Sequence, residues 1–459
     1  MALSFTQFMT RTDYADVPQN VRRIMRRSLL DTIGVAIVGT TTEISRIVRH
    51  YATEFWGAAE GKPGARMICD GRRVSPAGAA FAGAFTIDSI DAHDGYSAVK
   101  GHAGSAVMPG MLAIFEERRD SGRPLTAQDL MVGMALGYEI GYRSGLAQHG
   151  TLRDYHSSGA WNAVGVAAAG ARLLGLNEQG IRHAAGIAEY HGPRSQMMRC
   201  IEFPTMLRDG VGWGAPTGVS AAYMAAMGFT GAPALTIEAD NARDWWSGLG
   251  ERWETEETHY KLYPVCRWAH PALDAIKQLM TDNHLSYKDI ARIRIRTFHN
   301  AVRLAGADPQ NLDEMTYGMI YPAAVMAVRG QIGRCELRED VLTDPEIRRL
   351  ARATELVETE QYTAISVRKR WADVSLLLKN GRELASDPKT PRGDPDDPLT
   401  DAEISLKFHA FTEGLIYPER ARAIEEACGM FDQLNSSELN ELFDLIFTAT
   451  SAALPDAAL

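Results

Sequence analysis

Residues 161–174 read WNAVGVAAAGARLL, a stretch in which the small side chains of Ala and Gly predominate. Glycine costs helix stability relative to alanine, but Ala and Gly together let the backbones of neighbouring helices approach closely. Gly175 follows directly and is a typical residue for ending a helix. We therefore expect a helix here that packs tightly against other helices, in layers.

The chain on either side of this stretch also has helical character, up to about residue 265. In residues 21–38 the apolar side chains, among them Ile33 and Ile37, approximate one face of a helix. Further helices are predicted over residues 76–92, 108–117, 127–147, 177–188 and 217–228. The first 265 residues are therefore predicted to form a helical body.

The pattern changes after residue 266. In residues 290–298 Ile293 and Ile295 alternate with arginines, which is the period of a half-buried strand. Other local signals predict a helix over 271–281, strands over 362–369 and 373–378, a hairpin turn at Asn380-Gly381 before 382–385, and a loop over 386–399. These residues are predicted to form a small α/β unit.

Helical patterns return at residues 401–408, 418–430 and 438–448. The sequence therefore predicts a mostly α protein. A large all-helical domain, made of residues 1–265 and 401–459, is interrupted by a smaller α/β domain at residues 266–400.

Charge and cysteine content exclude several classes of protein. The chain has 48 Lys and Arg against 58 Asp and Glu, so its formal net charge of -10 disfavours binding to nucleic acid or anionic lipid. Its 5 cysteines include no CxxC pair, which argues against a disulfide framework or a structural zinc site. The N-terminus lacks the apolar core of a secretory signal. These features predict a cytoplasmic protein.

One uncharged stretch, residues 210–237, is long enough to cross a bilayer. It is rich in small and hydroxyl side chains and is interrupted by Pro216 and Pro233, so its transfer hydrophobicity is weak. Close packing in a water-soluble core is the better interpretation. Its glycines lack the preceding strand and following acid of a dinucleotide site, and the chain contains no phosphate loop, HExxH or GxSxG motif.

Residues 88–105 carry three acids and two histidines in a loop punctuated by glycine. Such loops carry function more often than cores do. The ordinary alternative is that Asp91 and Asp94 cap neighbouring helices and that His102 only lines a turn. A divalent metal bound by Asp91, His93, Asp94 and His102 is a further alternative, although no metal is predicted.

Three other segments add candidate side chains. His156 stands directly before the helix at residues 161–174, where the helix dipole disfavours a protonated imidazole. Arg208 lies before a glycine-rich helix, and residues 259–270 contain Lys261 and Arg267. Cations suit carboxylate substrates, but each of these could equally form an ordinary solvated salt bridge.

Taken together and in this order, these segments resemble the MmgE/PrpD family, which includes 2-methylcitrate dehydratase, cis-aconitate decarboxylase and iminodisuccinate epimerase. The matching segments are residues 30–36, 91–104, 156–159, 173–176, 218–222, 228–231, 261–270 and 397–400. The resemblance implies a large helical domain with an inserted α/β domain, a homodimer, and a cofactor-free active site in the cleft between the domains.

The resemblance also implies roles for particular residues. His102 and His156 are the acid/base candidates, Asp91 orients or tunes one imidazole, and Lys261 binds substrate carboxylates. The substrate-binding candidates are Arg208, Arg194, Arg199, Arg267 and Asp94. The expected activity is dehydration of a small di- or tricarboxylate such as 2-methylcitrate. Decarboxylation or epimerisation of a related acid, or ligand binding without catalysis, remains an alternative.

The chain departs from the family pattern at four places. Arg208 is the nearest cation to a position where many members have lysine, and His93 occupies the first place of a paired aspartate. Gly95 replaces a residue that often carries a hydroxyl, and Ala103 replaces a proline that often follows the loop histidine. These differences affect the substrate and the reaction.

Overall fold

The computed structural model describes residues 3–304 and 306–451. Helices predominate and the sheets are small, so the prediction of a mostly α protein is confirmed. The described side chains form two hydrophobic cores. One contains helices from both ends of the chain, and the other contains the principal sheet together with Met197, Cys200 and Ile201.

The first part of the chain forms eleven helices and a two-stranded antiparallel ribbon. The elements are α1 (Phe5–Arg11), α2 (Gln19–Gly39), α3 (Glu43–Phe55), β1 (Ala65–Arg66), β2 (Arg73–Val74), α4 (Pro76–Asp88), α5 (Gly104–Asp120), α6 (Ala127–Thr151), α7 (Ser158–Leu173), α8 (Glu178–His191), α9 (Met198–Glu202), α10 (Val211–Ala226) and α11 (Leu235–Glu238).

Helix α7 contains the quoted stretch of small residues and packs between α6 and α10. A Cβ atom added at Gly165 would lie 2.5 Å from the carbonyl oxygen of Gly137 in α6. One added at Gly214 in α10 would lie 2.5 Å from the carbonyl oxygen of Gly159 in α7. Only glycine permits backbones to come so close, so the prediction of tightly layered helices is confirmed.

The second part of the chain contains short helices and a four-stranded sheet. Its elements are α12 (His270–Asp282), β3 (Ile290–Thr297), α13 (His299–Val302), α14 (Leu312–Thr316), α15 (Ile320–Arg329), α16 (Glu339–Thr343), α17 (Pro345–Arg352), β4 (Thr354–Glu358), α18 (Glu360–Ile365), β5 (Ala372–Leu378) and β6 (Glu383–Ala385). The sheet order is β4-β3-β5-β6, and only the β3–β4 pair is parallel.

The alternation read in β3 is confirmed, since Ile293 and Ile295 are buried and the arginines between them are exposed. The strand predicted over 362–369 is wrong, because Glu360–Ile365 form α18. Thr359 caps this helix by accepting a hydrogen bond from the Tyr362 amide at 3.2 Å. The local cap therefore outweighs the strand propensity of the segment.

The last helices, α19 (Asp401–Thr412), α20 (Pro418–Gly429) and α21 (Ser436–Phe447), return to the helical body. Lys407 of α19 donates to Asp31 of α2 at 2.7 Å and to the carbonyl oxygen of Ala92 at 2.7 Å. The proposed domain limits at residues 265 and 400 stay predictions, and residues 452–459 lie outside the described residues. The uncharged stretch forms α10 and α11, and no helix in the described ranges is long and apolar enough to cross a membrane.

Candidate active site

A cavity of about 40 Å³ lies where loops of the helical body meet the part of the chain that carries the sheet. Its wall is formed by the loop between α4 and α5, the segment before α12, and single residues from other loops. The lining residues are Asp91, Tyr96, Ser97, Lys100, Gly101, His102, Tyr155, Met197, Ile201, His259, Cys266, Arg267, Trp268, Tyr317 and Arg370. Ionisable side chains from distant parts of the sequence therefore meet here.

Asp91 and Lys261 form a buried ion pair at this wall. The Lys261 ammonium is fully buried and donates to Asp91 Oδ1 at 2.5 Å and to the Asp91 carbonyl oxygen at 2.8 Å. Asp91 has a φ of 51°, which turns its carbonyl oxygen and its carboxylate toward the same ammonium. Because a buried ammonium is costly without a partner, the carboxylate and carbonyl oxygen of Asp91 offset the cost of burying Lys261.

His102 is held so that one ring nitrogen remains a proton acceptor. Its Nδ1 lies 2.6 Å from the carbonyl oxygen of Asp94, which can only accept, so Nδ1 carries the proton and Nε2 the lone pair. Burial, with the nearby Lys261 charge, lowers the pKa of His102 well below its usual 6.5. The imidazole is therefore neutral at pH 7 and able to act as a base.

The backbone of His102 is fixed by the start of α7. Ser158 Oγ accepts a hydrogen bond from the His102 amide at 3.1 Å, and Asn162 Nδ2 donates to the His102 carbonyl oxygen at 2.6 Å. Ser158 in turn donates to the carboxylate of Asp209. Helix α7 thus positions the loop histidine.

Asp94 lies behind the loop and is absent from the cavity lining. Its carboxylate accepts hydrogen bonds from the Gly104 amide at 3.0 Å and from the Tyr138 hydroxyl at 2.7 Å. Burial raises the pKa of this carboxyl. Asp94 thus closes the loop onto α5 and orients His102 through its carbonyl oxygen, which differs from the predicted contact with substrate.

Arg208 is also buried behind the cavity, with a φ of 51°. Its guanidinium pairs with Asp313 at 3.1 Å, donates to Thr316 Oγ1 at 2.8 Å, and donates to the carbonyl oxygen of Ser89. It lies over the ring of Tyr317, which does line the cavity. Arg208, which was predicted to bind substrate, is therefore already bonded to protein groups.

Arg267 lines the cavity as predicted, and its charge is already balanced. The guanidinium donates to Asp394 Oδ1 at 2.7 Å and to the carbonyl oxygen of Tyr260 at 3.2 Å. Two cation–carboxylate pairs, Lys261 with Asp91 and Arg267 with Asp394, therefore stand in this wall.

The structure places His156, Arg194 and Arg199 outside the cavity lining. The segment before α7 is extended and His156 pairs with Gln196 there, so neighbouring side chains point to opposite sides. Tyr155 faces the cavity, and His156 Nδ1 bonds instead to the Asp154 carbonyl oxygen at 2.8 Å.

The two arginines are on the surface. Arg194 is 40% exposed and lies 3.7 Å from Glu189, and Arg199 is exposed on α9. Neither side chain therefore lines the cavity, unlike those of His102, Asp91 and Arg267, whereas Lys261 lies behind the lining and pairs with Asp91.

The lining residues that were not assigned from the sequence include Lys100, Tyr155, His259 and Arg370. Lys100 and His259 lie inside segments already singled out for their chemistry, so a fuller reading of those segments could have included them. Arg370 follows Arg368 and Lys369, and such a run of cations is typical of a solvated loop. Arg370 is nonetheless 4% exposed.

Ligand atoms of Asp91, His93 and His102 lie within 4.8 Å of one another, which is compatible with a metal ion. Each of these side chains also has a protein partner. Asp91 accepts a hydrogen bond from Lys261, and His93 Nε2 lies 2.9 Å from the Asp88 carboxylate. His102 Nδ1 is hydrogen-bonded to the carbonyl oxygen of Asp94. A cation bound here would have to displace the Lys261 ammonium from Asp91.

Residues 3–251 match the MmgE/PrpD N-terminal domain, and residues 263–433 match the MmgE/PrpD C-terminal domain. The chain is 23% identical to a cis-aconitate decarboxylase-like protein of Aspergillus oryzae, over 96% of this chain and 95% of the relative. It is 23% identical to the cis-aconitate decarboxylase of Aspergillus terreus, over 94% and 92%.

The human cis-aconitate decarboxylase is 24% identical, over 84% of this chain and 82% of the relative. The two domain matches together cover nearly all of the sequence, including every lining residue of the cavity except His259. The chain therefore belongs to the MmgE/PrpD family.

Proposed function

We propose that the protein is an enzyme that removes or adds a proton at a carbon next to a carboxylate in a small di- or tricarboxylate. The observation that carries this proposal is a neutral imidazole, His102, in a cavity whose charged side chains sum to a positive charge. The imidazole accepts the proton, and the cations bind carboxylates and stabilise the enolate-like charge that develops.

The excess positive charge comes from Lys100 and Arg370. Among the residues that the structure describes, neither has a carboxylate within ion-pair distance. Arg370 donates only to carbonyl oxygens, including that of Ser97 at 3.0 Å, and Lys100 lies over the Tyr155 ring at 5.0 Å. Burial lowers the pKa of both side chains, and the Arg370 charge lowers the pKa of Lys100 further.

Arg370 is buried and Lys100 is half-buried, and because cations withdrawn from water without a counter-charge are costly, an anionic ligand removes that cost. Two such cations beside a neutral base fit a substrate that has at least two carboxylates. One carboxylate is bound by Lys100 and Arg370, and the carbon beside another is presented to His102. This arrangement supports acid/base chemistry on a polycarboxylate.

The cavity is smaller than such a substrate. A volume of about 40 Å³ has room for about three water molecules. Arg370 stands directly before β5 and its bond to the Ser97 carbonyl oxygen ties that part of the chain to the loop of His102. We therefore expect this contact to open when the substrate enters.

Decarboxylation is the reaction that the relatives favour, since four of them are named cis-aconitate decarboxylases. In that reaction the C–C bond to one carboxylate breaks, carbon dioxide leaves, and the electron pair on carbon takes up a proton. Dehydration, the activity expected from the sequence, instead needs a proton donor for the leaving hydroxyl. Tyr317 supports this second candidate, because burial raises its pKa and keeps its hydroxyl protonated in the lining.

The test is incubation with citrate-like, aconitate-like and amino-dicarboxylate acids in deuterated water, followed by proton NMR. We expect at least one acid to lose carbon dioxide, lose water or exchange a proton next to a carboxylate. Carbon dioxide release identifies a decarboxylase, and a new alkene without it identifies a dehydratase. A panel that stays unchanged, with no exchange, would contradict the proposal.

Removing either unbalanced cation is expected to weaken substrate binding. In Lys100→Gln and Arg370→Gln, KM for the turned-over acid should rise about 10- to 100-fold, because a charge-assisted hydrogen bond is lost. The matched control is Arg368→Gln, which removes an exposed cation two residues from Arg370. Equal KM values in all three variants would show that the cavity cations do not bind substrate.

The lowered pKa of His102 predicts a specific pH dependence. Protonation removes the lone pair, so kcat/KM falls as the pH drops through the pKa of the free enzyme's base. Because burial lowers that pKa, we expect kcat/KM to stay flat from pH 8 to about 6 and to fall only below that range. An acid limb centred at or above the usual histidine value, in folded protein, would contradict a buried neutral base.

The family resemblance also leads us to propose a homodimer. Phe55 and Trp213 are large exposed apolar side chains on the helical body, and such residues support an interface between chains. Sedimentation should give twice the chain mass of 50.3 kDa. A mass equal to one chain at micromolar concentration would contradict this.

A further inference from the structure

We propose that His259 is a second catalytic residue of the cavity, which exchanges a proton with the substrate through Nε2. The proposal rests on the proposed function and adds a residue to the same site. His259 pairs with Gly95 through two backbone hydrogen bonds, of 2.7 and 3.0 Å, so its backbone is fixed against the loop that carries His102. Its side chain lines the cavity, and the residue is 3% exposed.

The Nδ1 side of the His259 ring faces a carboxylate. Nδ1 lies 3.5 Å from Asp394 Oδ1 and 3.3 Å from Ser97 Oγ, and Asp394 is itself held by Arg267 at 2.7 Å. The Ser97 hydroxyl can donate to or accept from Nδ1, so the neighbours of the ring allow either tautomer. The proposal requires the tautomer in which Nδ1 carries the proton, facing Asp394, and Nε2 carries the lone pair.

The Nε2 side has no such partner. It is a buried nitrogen without a hydrogen bond to any of the residues that the structure describes. Buried polar atoms are rarely left in this state, and the exceptions occur at sites where a ligand makes the missing bond. Nε2 of His259 therefore indicates where a substrate atom binds.

His149, which is outside the cavity lining, also has buried ring nitrogens without a hydrogen bond to the described residues, whereas His270 is fully bonded. His270 Nε2 lies 3.1 Å from the carbonyl oxygen of Val265, and its Nδ1 lies 3.5 Å from the Arg267 guanidinium. Both nitrogens of His270 are occupied by protein groups, as expected for a structural role. His259, eleven residues earlier in the chain, leaves one nitrogen for a ligand.

Gly95 brings the two candidate rings together. A Cβ atom added at residue 95 would lie 2.7 Å from His102 Nδ1 and 2.9 Å from His259 Nε2. Both distances are too short for a real Cβ atom, so residue 95 must lack a side chain for both imidazoles to approach. The two rings therefore approach each other across Gly95, with His259 Nε2 on the side of His102 Nδ1, and both residues line the cavity.

The charges around His259 suit reversible proton transfer. Burial, followed by Arg267 and Lys261, lowers the pKa of His259 well below 6.5, so the resting ring is a neutral acceptor. Facing groups are Ser97, Asp394, Arg267, Lys261, His270 and Arg370. When a C–H proton moves to Nε2, the C–H electron pair stays on the substrate as an enolate-like anion, whose negative charge offsets that of the imidazolium. The proton returns to carbon, or to the leaving hydroxyl, as the product forms.

The test uses the full-length chain and the acid that the parent protein turns over. In His259→Gln and His259→Asn we expect kcat to fall at least about 100-fold, with KM within about threefold of the parent. Calorimetric binding of propane-1,2,3-tricarboxylate should also stay within about threefold, and the melting temperature should be retained. His50→Gln, an exposed histidine on α3, is the matched control and should behave as the parent.

Each other outcome has a distinct meaning. Turnover within threefold of the parent in both His259 variants overturns the catalytic role, and so does a loss of activity that is matched by loss of tricarboxylate binding or of folding. A parent that turns over none of the acids overturns the proposed function itself, and with it the role of His259.

Discussion

A His102→Gln variant is expected to lose about 10²- to 10⁴-fold in kcat, because it lacks the neutral base of the cavity. Glutamine keeps a side-chain amide that can donate to the Asp94 carbonyl oxygen, so the loop should stay in place. The measurement is steady-state turnover of the acid identified by NMR, with the melting temperature recorded beside it. Loss of turnover in a protein that melts as the parent does assigns His102 to the chemistry.

A His156→Gln variant separates two accounts of the second histidine. The family resemblance pairs His156 with His102, whereas the cavity wall pairs His259 with His102. If His102 and His259 transfer the proton, we expect the turnover of His156→Gln to stay within a few-fold of that of the parent. A loss as large as that of His102→Gln would assign the role to His156 instead.

The largest expected effect on stability is that of Lys261→Met. This change leaves the Asp91 carboxylate buried without its ion-pair partner, which lies at 2.5 Å. Breaking a buried pair from one side costs about 3–5 kcal/mol, so the free energy of unfolding measured in urea should fall by that amount. The midpoint of the denaturation curve should move accordingly, with little change in its slope.

Two further variants define this effect. Asp91→Asn combined with Lys261→Met removes both charges and should recover part of the lost stability. Lys369→Met breaks an exposed pair with Asp396 and should change the free energy of unfolding by about 1 kcal/mol or less. If Lys261→Met is as mild as Lys369→Met, the buried pair does not stabilise the cavity wall.

Local sequence patterns predicted the helical body well, because tight helix packing depends on small residues that can be read directly. Gly165 and Gly214 lie directly against the backbones of neighbouring helices, as the small-residue composition of their segments predicted. The α/β part was harder, since strand propensity depends on the neighbours that a strand acquires. Accordingly, the edge strand β4 was not predicted, and a strand was predicted where part of the helix α18 lies.

For the candidate site, the sequence located the segments better than the individual side chains. Asp91 and Lys261 meet across 170 positions, and only the fold shows that their charges pair. Tyr155 and His156 are adjacent in an extended segment, where successive side chains point to opposite sides. The sequence alone does not show which of the two faces the cavity. Burial separates Arg370 from Arg368 and Lys369, and no local pattern distinguishes these three cations.

The central claim is that the cavity binds a polycarboxylate between its unbalanced cations and His102. A crystal structure with propane-1,2,3-tricarboxylate tests it most directly. We expect one carboxylate within hydrogen-bond distance of Lys100 and Arg370, and a methylene carbon facing His102 Nε2. Binding outside this cavity, for instance in the groove lined by Arg22, Arg23 and Arg26, would contradict the account.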